Sequence, residues 1–219
     1  ITQTPLRVSF AGGLTDLPEF YGTFGGCVVS TSIDKYIFVI VNERFDDKIY
    51  INYSQKEIVN SVEEVKHDLV REAMLLTGVT RGVEITTLAD VPSEGSGLGS
   101  SSSVTVGLLN ALYAFKGDIQ PAERLAEEAC EIEIGKCGKP VGKQDQYIAA
   151  FGGLRCFEFH PDGSVDAERL SLDANQKRYL SDNLMLTYTA RTRSADDVLE
   201  VQRDSMSEKD EHVQSIKLL

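Results

Sequence analysis

The residues able to do chemistry fall into three groups along the chain. The first is residues 92–103, PSEGSGLGSSSS, where Gly95, Gly97 and Gly99 stand among serines. The stretch follows a strand-like run, VEITTL, and passes straight into VTVGLLNALYAF, in which Val104, Leu108, Leu112 and Phe115 recur at helical spacing. Glycines allow positive φ and close approach of backbone to a ligand, and the start of a helix leaves amide groups unpaired, so this junction suits phosphate. A Gly/Ser linker would share the composition, but a linker separates two independent units, whereas this loop joins a strand to a helix within one apolar pattern. A P-loop needs Lys after its last glycine, and here Ser100 follows Gly99; the dinucleotide fingerprint needs a differently placed third glycine. The loop therefore reads as an anion site of neither common type.

The second and third groups are residues 7–16 and 131–145. Arg7 follows Pro5 and precedes the Gly12, Gly13 turn, where a guanidinium could face phosphate or sit on a strand edge. Asp16 could cap that turn or meet a hydroxyl-rich ligand. Asp145, in GKQDQY, opens a helix; an acid there suits the helix dipole, and in phosphoryl transfer a carboxylate near the acceptor takes or orients the hydroxyl proton. Glu131 and Glu133 lie two apart on one helix, so only one can face a cleft. Magnesium asks for hard oxygen ligands, and a carboxylate with a loop serine would serve.

The elements that must hold these groups are legible in outline. A strand over residues 6–10, a β-branched run over 27–41, alternation over 48–53 and the strand at 83–88 predict a mixed sheet. Apolar spacing predicts helices over 62–77, closed by Gly78, from Pro121 onward, and over 144–151, with a loop at 135–142 between the last two. Strands at 154–159 and 165–170 flank a PDG turn, and NLMLTYTA after residue 182 reads as a further strand leading to a helix from Ser194. A domain boundary is expected near residue 180, giving domains 1–180 and 181–219.

With 219 residues, 42% hydrophobic and 26% charged, the chain can bury a sizeable core. A net charge of -12 gives no basic footprint for nucleic acid or an anionic membrane surface. No run reaches eighteen apolar residues and the N-terminal stretch has no signal-peptide pattern, so a cytoplasmic protein is expected. Cys27, Cys130, Cys137 and Cys156 form no CxxC pair, and free thiols are expected rather than a zinc site or disulfide framework.

TPLRVSFAGGLTDLPEFY, PSEGSGLGSSSS and GKQDQY together resemble, in order, the first motif, phosphate loop and acidic segment of the GHMP kinases. Within that family they are most similar to the kinases of D-glycero-D-manno-heptose 7-phosphate, which feed GDP-heptose and surface-glycan synthesis. The resemblance implies an α+β fold, with an N-terminal domain like ribosomal protein S5 domain 2 followed by a ferredoxin-like domain, and small-molecule partners, ATP with Mg²⁺ and a sugar phosphate, with a homodimer possible. It makes Asp145 the base-like carboxylate and Arg7 its cationic partner. It assigns the nucleotide to Pro92, Glu94, Gly95, Ser96, Gly97, Leu98, Gly99, Ser100, Ser101 and Ser102. Metal ligation falls to Ser101 and Glu133, with Glu131 the fallback. Gly13, Asp16 and Gln144 face the sugar, and Lys143, Arg191 and Arg193 are candidates for its 7-phosphate. Relatives usually carry a third glycine where Leu14 stands, and they continue past this length with a late glycine-rich segment. Kinases of unphosphorylated sugars such as fucose or galactose, and a non-catalytic sugar and nucleotide sensor, are the competing expectations.

Overall fold

The computed structural model describes residues 1–92 and 96–187. One mixed seven-stranded sheet carries the molecule. Its strands are β1 (Thr2–Ala11), β2 (Gly26–Glu43), β3 (Ile49–Asn52), β4 (Lys56–Val59), β5 (Val83–Ala89), β6 (Leu154–Phe159) and β7 (Val165–Arg169). The order is β4-β3-β5-β2-β6-β7, with β1 on β2; only the β3–β5 pairing is parallel. The spine is β2, whose β-branched and aromatic run is long enough to pair with β6 over residues 26–31, β5 over 37–43, and β1 along its middle. The first strand is longer than the five residues expected, because β2 offers it partners as far back as Thr2.

The helices are α1 (Pro18–Phe24), α2 (Asp68–Thr77), α3 (Ser100–Phe115), α4 (Ala122–Cys130), α5 (Gln144–Phe151) and α6 (Ala174–Asp182). Central among them is α3, which lies on β1 and β2 with α2, α4 and α5 around it. Leu108, Leu109 and Leu112 are wholly buried, as is expected of a helix apolar on most of its surface. The single helix expected over 62–77 is broken. Val62–Glu64 forms one 3₁₀ turn and α2 begins only at Asp68, while Val62, Val65 and Leu69 are still buried together. A second cluster of Tyr21, Val28, Tyr147, Ile148, Phe157 and Phe159 ties α1 and α5 to the β2–β6 end of the sheet. Burying aliphatic and aromatic side chains of this size contributes about 1.5–3 kcal/mol each, so the site is mounted on a stiff frame.

Between α4 and α5 the chain makes a π-helical turn, Glu131–Lys136, followed by an irregular stretch to Lys143. Position 180, the expected boundary, falls within α6, which has no buried side chain. Residues 184–187 form no strand. The expected strand's remainder and the helix from Ser194 lie outside the described residues. No described helix is long and apolar enough to cross a membrane.

Candidate active site

Arg7 sits mid-way along β1 and Asp145 in the first turn of α5, and tertiary packing brings them together. Arg7 Nε donates to Asp145 Oδ1 at 2.6 Å and Nη2 to Oδ2 at 2.7 Å, a bidentate pair. The third arm, Nη1, donates to the Gly97 carbonyl at 2.7 Å, and the Arg7 amide donates to Leu98 O at 3.1 Å. Strand β1 thus clamps the glycine loop by both backbone and side chain. Gly99 precedes α3 with φ 74°, and a Cβ there would stand 3.2 Å from both Arg7 Cγ and Asp145 Oδ2. The glycine is required twice, for its backbone angle and for the room it leaves.

Beneath the loop lies a buried polar cluster. Glu133 is fully buried on the π-helical turn, whereas the Glu131 side chain is more than half exposed and pairs with Lys136. Ser102 Oγ and Gln146 Nε2 each donate to Glu133 Oε2 at 3.0 Å. Burial is the main influence on Glu133 and pushes its carboxyl up to about 7. The serine bonded to Glu133 is Ser102, while Ser101, which the family resemblance makes a metal ligand, accepts a 3.1 Å hydrogen bond from Lys139 Nζ. Two buried oxygens of the cluster, Glu133 Oε1 and Gln146 Oε1, lack a donor among the described residues. Thr105 lies close by, but its single hydroxyl proton goes to the Ser101 carbonyl at 3.1 Å. Hard oxygens in want of a positive partner fit a magnesium ion, with Glu133 and the loop serines as the residues that would hold it.

The third group forms a wall beside the pair. Asp16 is 2% exposed; Gln144 donates to it through its backbone N at 3.1 Å and its side-chain Nε2 at 3.3 Å. Burial outweighs these bonds and raises the Asp16 carboxyl to about 6. Ser9 donates to Gln144 Oε1 at 2.6 Å, so β1 also orients the amide. Gly142 is packed against Asp16 so closely that an added Cβ would coincide with the carboxylate. Gly13 is exposed on the turn, and Leu14 beside it has φ 73°. Lys143 Nζ donates to the Gly163 carbonyl at 2.7 Å and lies 5.0 Å from the Tyr21 ring centroid. Ser96 and Ser100 share a 2.8 Å hydrogen bond across the loop. Glu94, Gly95, Arg191 and Arg193 lie outside the described residues, while Pro92 ends the described part before the loop.

Sequence reasoning missed two features here. Lys139 carried no signal beyond being one lysine in GKCGKP. Cys27 and Cys156 are 129 positions apart, yet the β2–β6 register brings their sulfurs to 3.3 Å as free thiols. A surface concavity of about 590 Å³, lined by Asn42, Arg44, Asp46 and Glu84, lies at the far end of β2. Its arginine is already paired with Asp46 and Glu84, and Glu43 is a further acid on the rim, so no cation there is left for an anionic ligand.

The loop, the cation–carboxylate pair and the buried glutamate thus lie together about the start of α3. Residues 56–153 match the family model described as the GHMP kinases N terminal domain. The chain is 31% identical over 222 residues to the D-glycero-alpha-D-manno-heptose 7-phosphate kinase of Campylobacter jejuni, a match covering 94% of the chain and 64% of that relative. Among solved structures it is similar to one described as a D-glycero-D-manno-heptose 1-phosphate kinase from Bacteroides thetaiotaomicron. There the TM-score is 0.74 and the identity 29%, covering 83% of this chain and 62% of that one. A putative sugar kinase from Campylobacter jejuni gives a TM-score of 0.68 at 30% identity, covering 83% and 60%. The chain thus spans less than two thirds of the length of each of these relatives.

Proposed function

We propose that the protein carrying this chain is an ATP- and magnesium-dependent sugar kinase that phosphorylates the anomeric hydroxyl of a heptose 7-phosphate, D-glycero-D-manno-heptose 7-phosphate. The observation that carries the reading is Asp145, held bidentate by Arg7 directly beside Gly99 of the phosphate loop. In the reaction the sugar oxygen forms a bond to the γ-phosphorus as the bond to the ADP oxygen breaks, and the hydroxyl proton passes to the Asp145 carboxylate. Arg7 fixes that carboxylate and lends positive charge where the phosphoryl group travels. The loop amides at the start of α3 receive the nucleotide phosphates. Magnesium, when bound, neutralises charge on the phosphates.

The sugar assignment rests on the relatives. One is named for the 7-phosphate of the heptose and another for its 1-phosphate, the two positions that one anomeric phosphorylation of the 7-phosphate would fill. Asp16, with Gln144 behind it, suits a ring hydroxyl. Lys143 would exchange the Gly163 carbonyl for the 7-phosphate, together with Arg191 and Arg193.

The test is Asp145→Asn in the full-length protein. An asparagine keeps one oxygen for Arg7 Nε but cannot take a proton, so turnover should fall about 10²- to 10⁴-fold while the ATP dissociation constant stays within a few-fold. Unchanged turnover removes Asp145 from the chemistry. Comparing heptose with heptose 7-phosphate decides the substrate: equal kcat/KM would favour a kinase of unphosphorylated sugars.

A further inference from the structure

The phosphate loop lacks the lysine that a P-loop places after its last glycine, and the structure supplies a lysine from elsewhere. Resting on the kinase reading above, we propose that Lys139 is the cation of this loop and binds the terminal phosphates of the nucleotide.

Four observations support the assignment. First, Lys139 Nζ donates to Ser101 Oγ at 3.1 Å, which fixes the ammonium over the first turn of α3. Second, it is brought there by the backbone: the Lys139 amide donates to the Glu133 carbonyl at 2.9 Å, and Cys137 N to Ile132 O at 2.8 Å, so the chain folds back as the π-helical turn ends. Third, the neighbouring cations are already engaged. All three guanidinium nitrogens of Arg7 are bonded and its charge is matched by Asp145, while Lys143 is held by Gly163 at the other wall. Lys139 has instead a neutral hydroxyl as its hydrogen-bond partner, and among the described residues no carboxylate oxygen lies within ion-pair distance of it. Fourth, the half-buried side chain stands above the buried cluster in which Glu133 Oε1 and Gln146 Oε1 lack donors. A triphosphate brings negative charge to this place, and a half-buried ammonium hydrogen-bonded to a hydroxyl, with the buried Glu133 near it but outside ion-pair distance, keeps donors free for phosphate oxygens. Its compact charge has the three donors that bind phosphate oxygens from a flexible stem.

The experiment compares wild type, Lys139→Met and Lys139→Arg in the full-length protein, using calorimetric titration with ATP, ADP and AMP, and steady-state kinetics. Methionine keeps the stem's volume and removes the charge. The expected result is a roughly ten- to hundredfold weaker ATP affinity in Lys139→Met, a smaller loss for ADP and none for AMP, with arginine recovering most of the deficit. Sugar-phosphate affinity measured without nucleotide should be unchanged, and so should the unliganded melting temperature within a few degrees, which separates charge loss from misfolding. Lys139→Met binding ATP and turning over as wild type does overturns the role of Lys139 and leaves the kinase reading standing. Equal losses for ATP, ADP and AMP overturn it as well, since they point to a displaced loop. Wild type that binds no nucleotide overturns both.

Discussion

At the scale of single residues, Asp16 places the sharpest demand on the environment. Burial holds its carboxyl up near 6 although Gln144 donates to it twice, so the folded chain binds this proton more tightly than the unfolded chain, whose value is near 3.8. The stability supplied by the protonated form is complete below about pH 4 and is lost as pH rises toward 6, a change of roughly 3 kcal/mol at most. The stability difference between wild type and Asp16→Asn, from urea midpoints, should therefore shrink by up to that amount between pH 4 and pH 7. A difference that stays level over that range contradicts the assignment. Function runs the other way. On the sugar-binding role proposed for Asp16, the ionised carboxylate receives the hydroxyl, so kcat/KM for the sugar should climb with pH through about 6 in wild type, and Asp16→Asn should lack that limb. On that proposed role, Asp16 would bind best in the form that stabilises the fold least.

At the scale of elements, the turn between β1 and α1 shows where a rule is broken locally. Leu14 has φ 73°, a left-handed conformation that costs a residue bearing a Cβ about 1–2 kcal/mol, and it sits where glycine is expected from the family resemblance. Leu14→Gly should leave the melting temperature unchanged or raise it slightly, because relief of strain is offset by the freer unfolded chain. Leu14→Val should lower stability by a further 1 kcal/mol or so, since a β-branched side chain tolerates this angle least; equal effects of the two would deny the strain. Gly142 is constrained differently, by the Asp16 carboxylate occupying the place of its Cβ. Gly142→Ala should weaken sugar binding far more than ATP binding, as measured by calorimetry with each ligand alone.

These elements also show how far the sequence could be read. The glycine loop and the helix starts at Ser100 and Gln144 were legible because glycine angles and helix starts are local properties, whereas the meeting of Arg7 with Asp145, 138 positions apart, is a product of tertiary packing. The choice between Glu133 and Glu131 was not local. Spacing of two says only that the residues diverge, and the π-helical turn shifts the phase that would decide which side is buried. The bond of Ser102 to Glu133, that of Lys139 to Ser101, and the meeting of Cys27 with Cys156 depend on register and packing between distant segments, which composition does not encode. The break before α2 was hidden for a related reason: a 3₁₀ turn and an extended residue kept Val62, Val65 and Leu69 facing one core, so the helical period survived where the helix did not.

At the scale of the whole molecule, stability is distributed unevenly, and the site lies across the gradient. Strands β1 and β2 with α3 form the most deeply packed part, with Leu6, Val39, Leu108, Leu109 and Leu112 wholly or almost wholly buried. At the other extreme, α6 is held by its Asp173–Gln176 capping box and buries no side chain, leaving Tyr179 largely exposed. Opening free energies should follow this order, because local unfolding costs least where few apolar contacts are lost. Amide hydrogen exchange should therefore be slowest in the middle of β2 and α3 and fastest in α6. Adding ATP should slow exchange at the Gly97, Leu98 and Gly99 amides and through the first turn of α3, with little change in α6, because a ligand stabilises only the units whose opening breaks its contacts. Protection gained by α6 but not by the loop would mean that the nucleotide binds somewhere other than the start of α3, and the roles given to Arg7, Lys139 and Asp145 would fall with it.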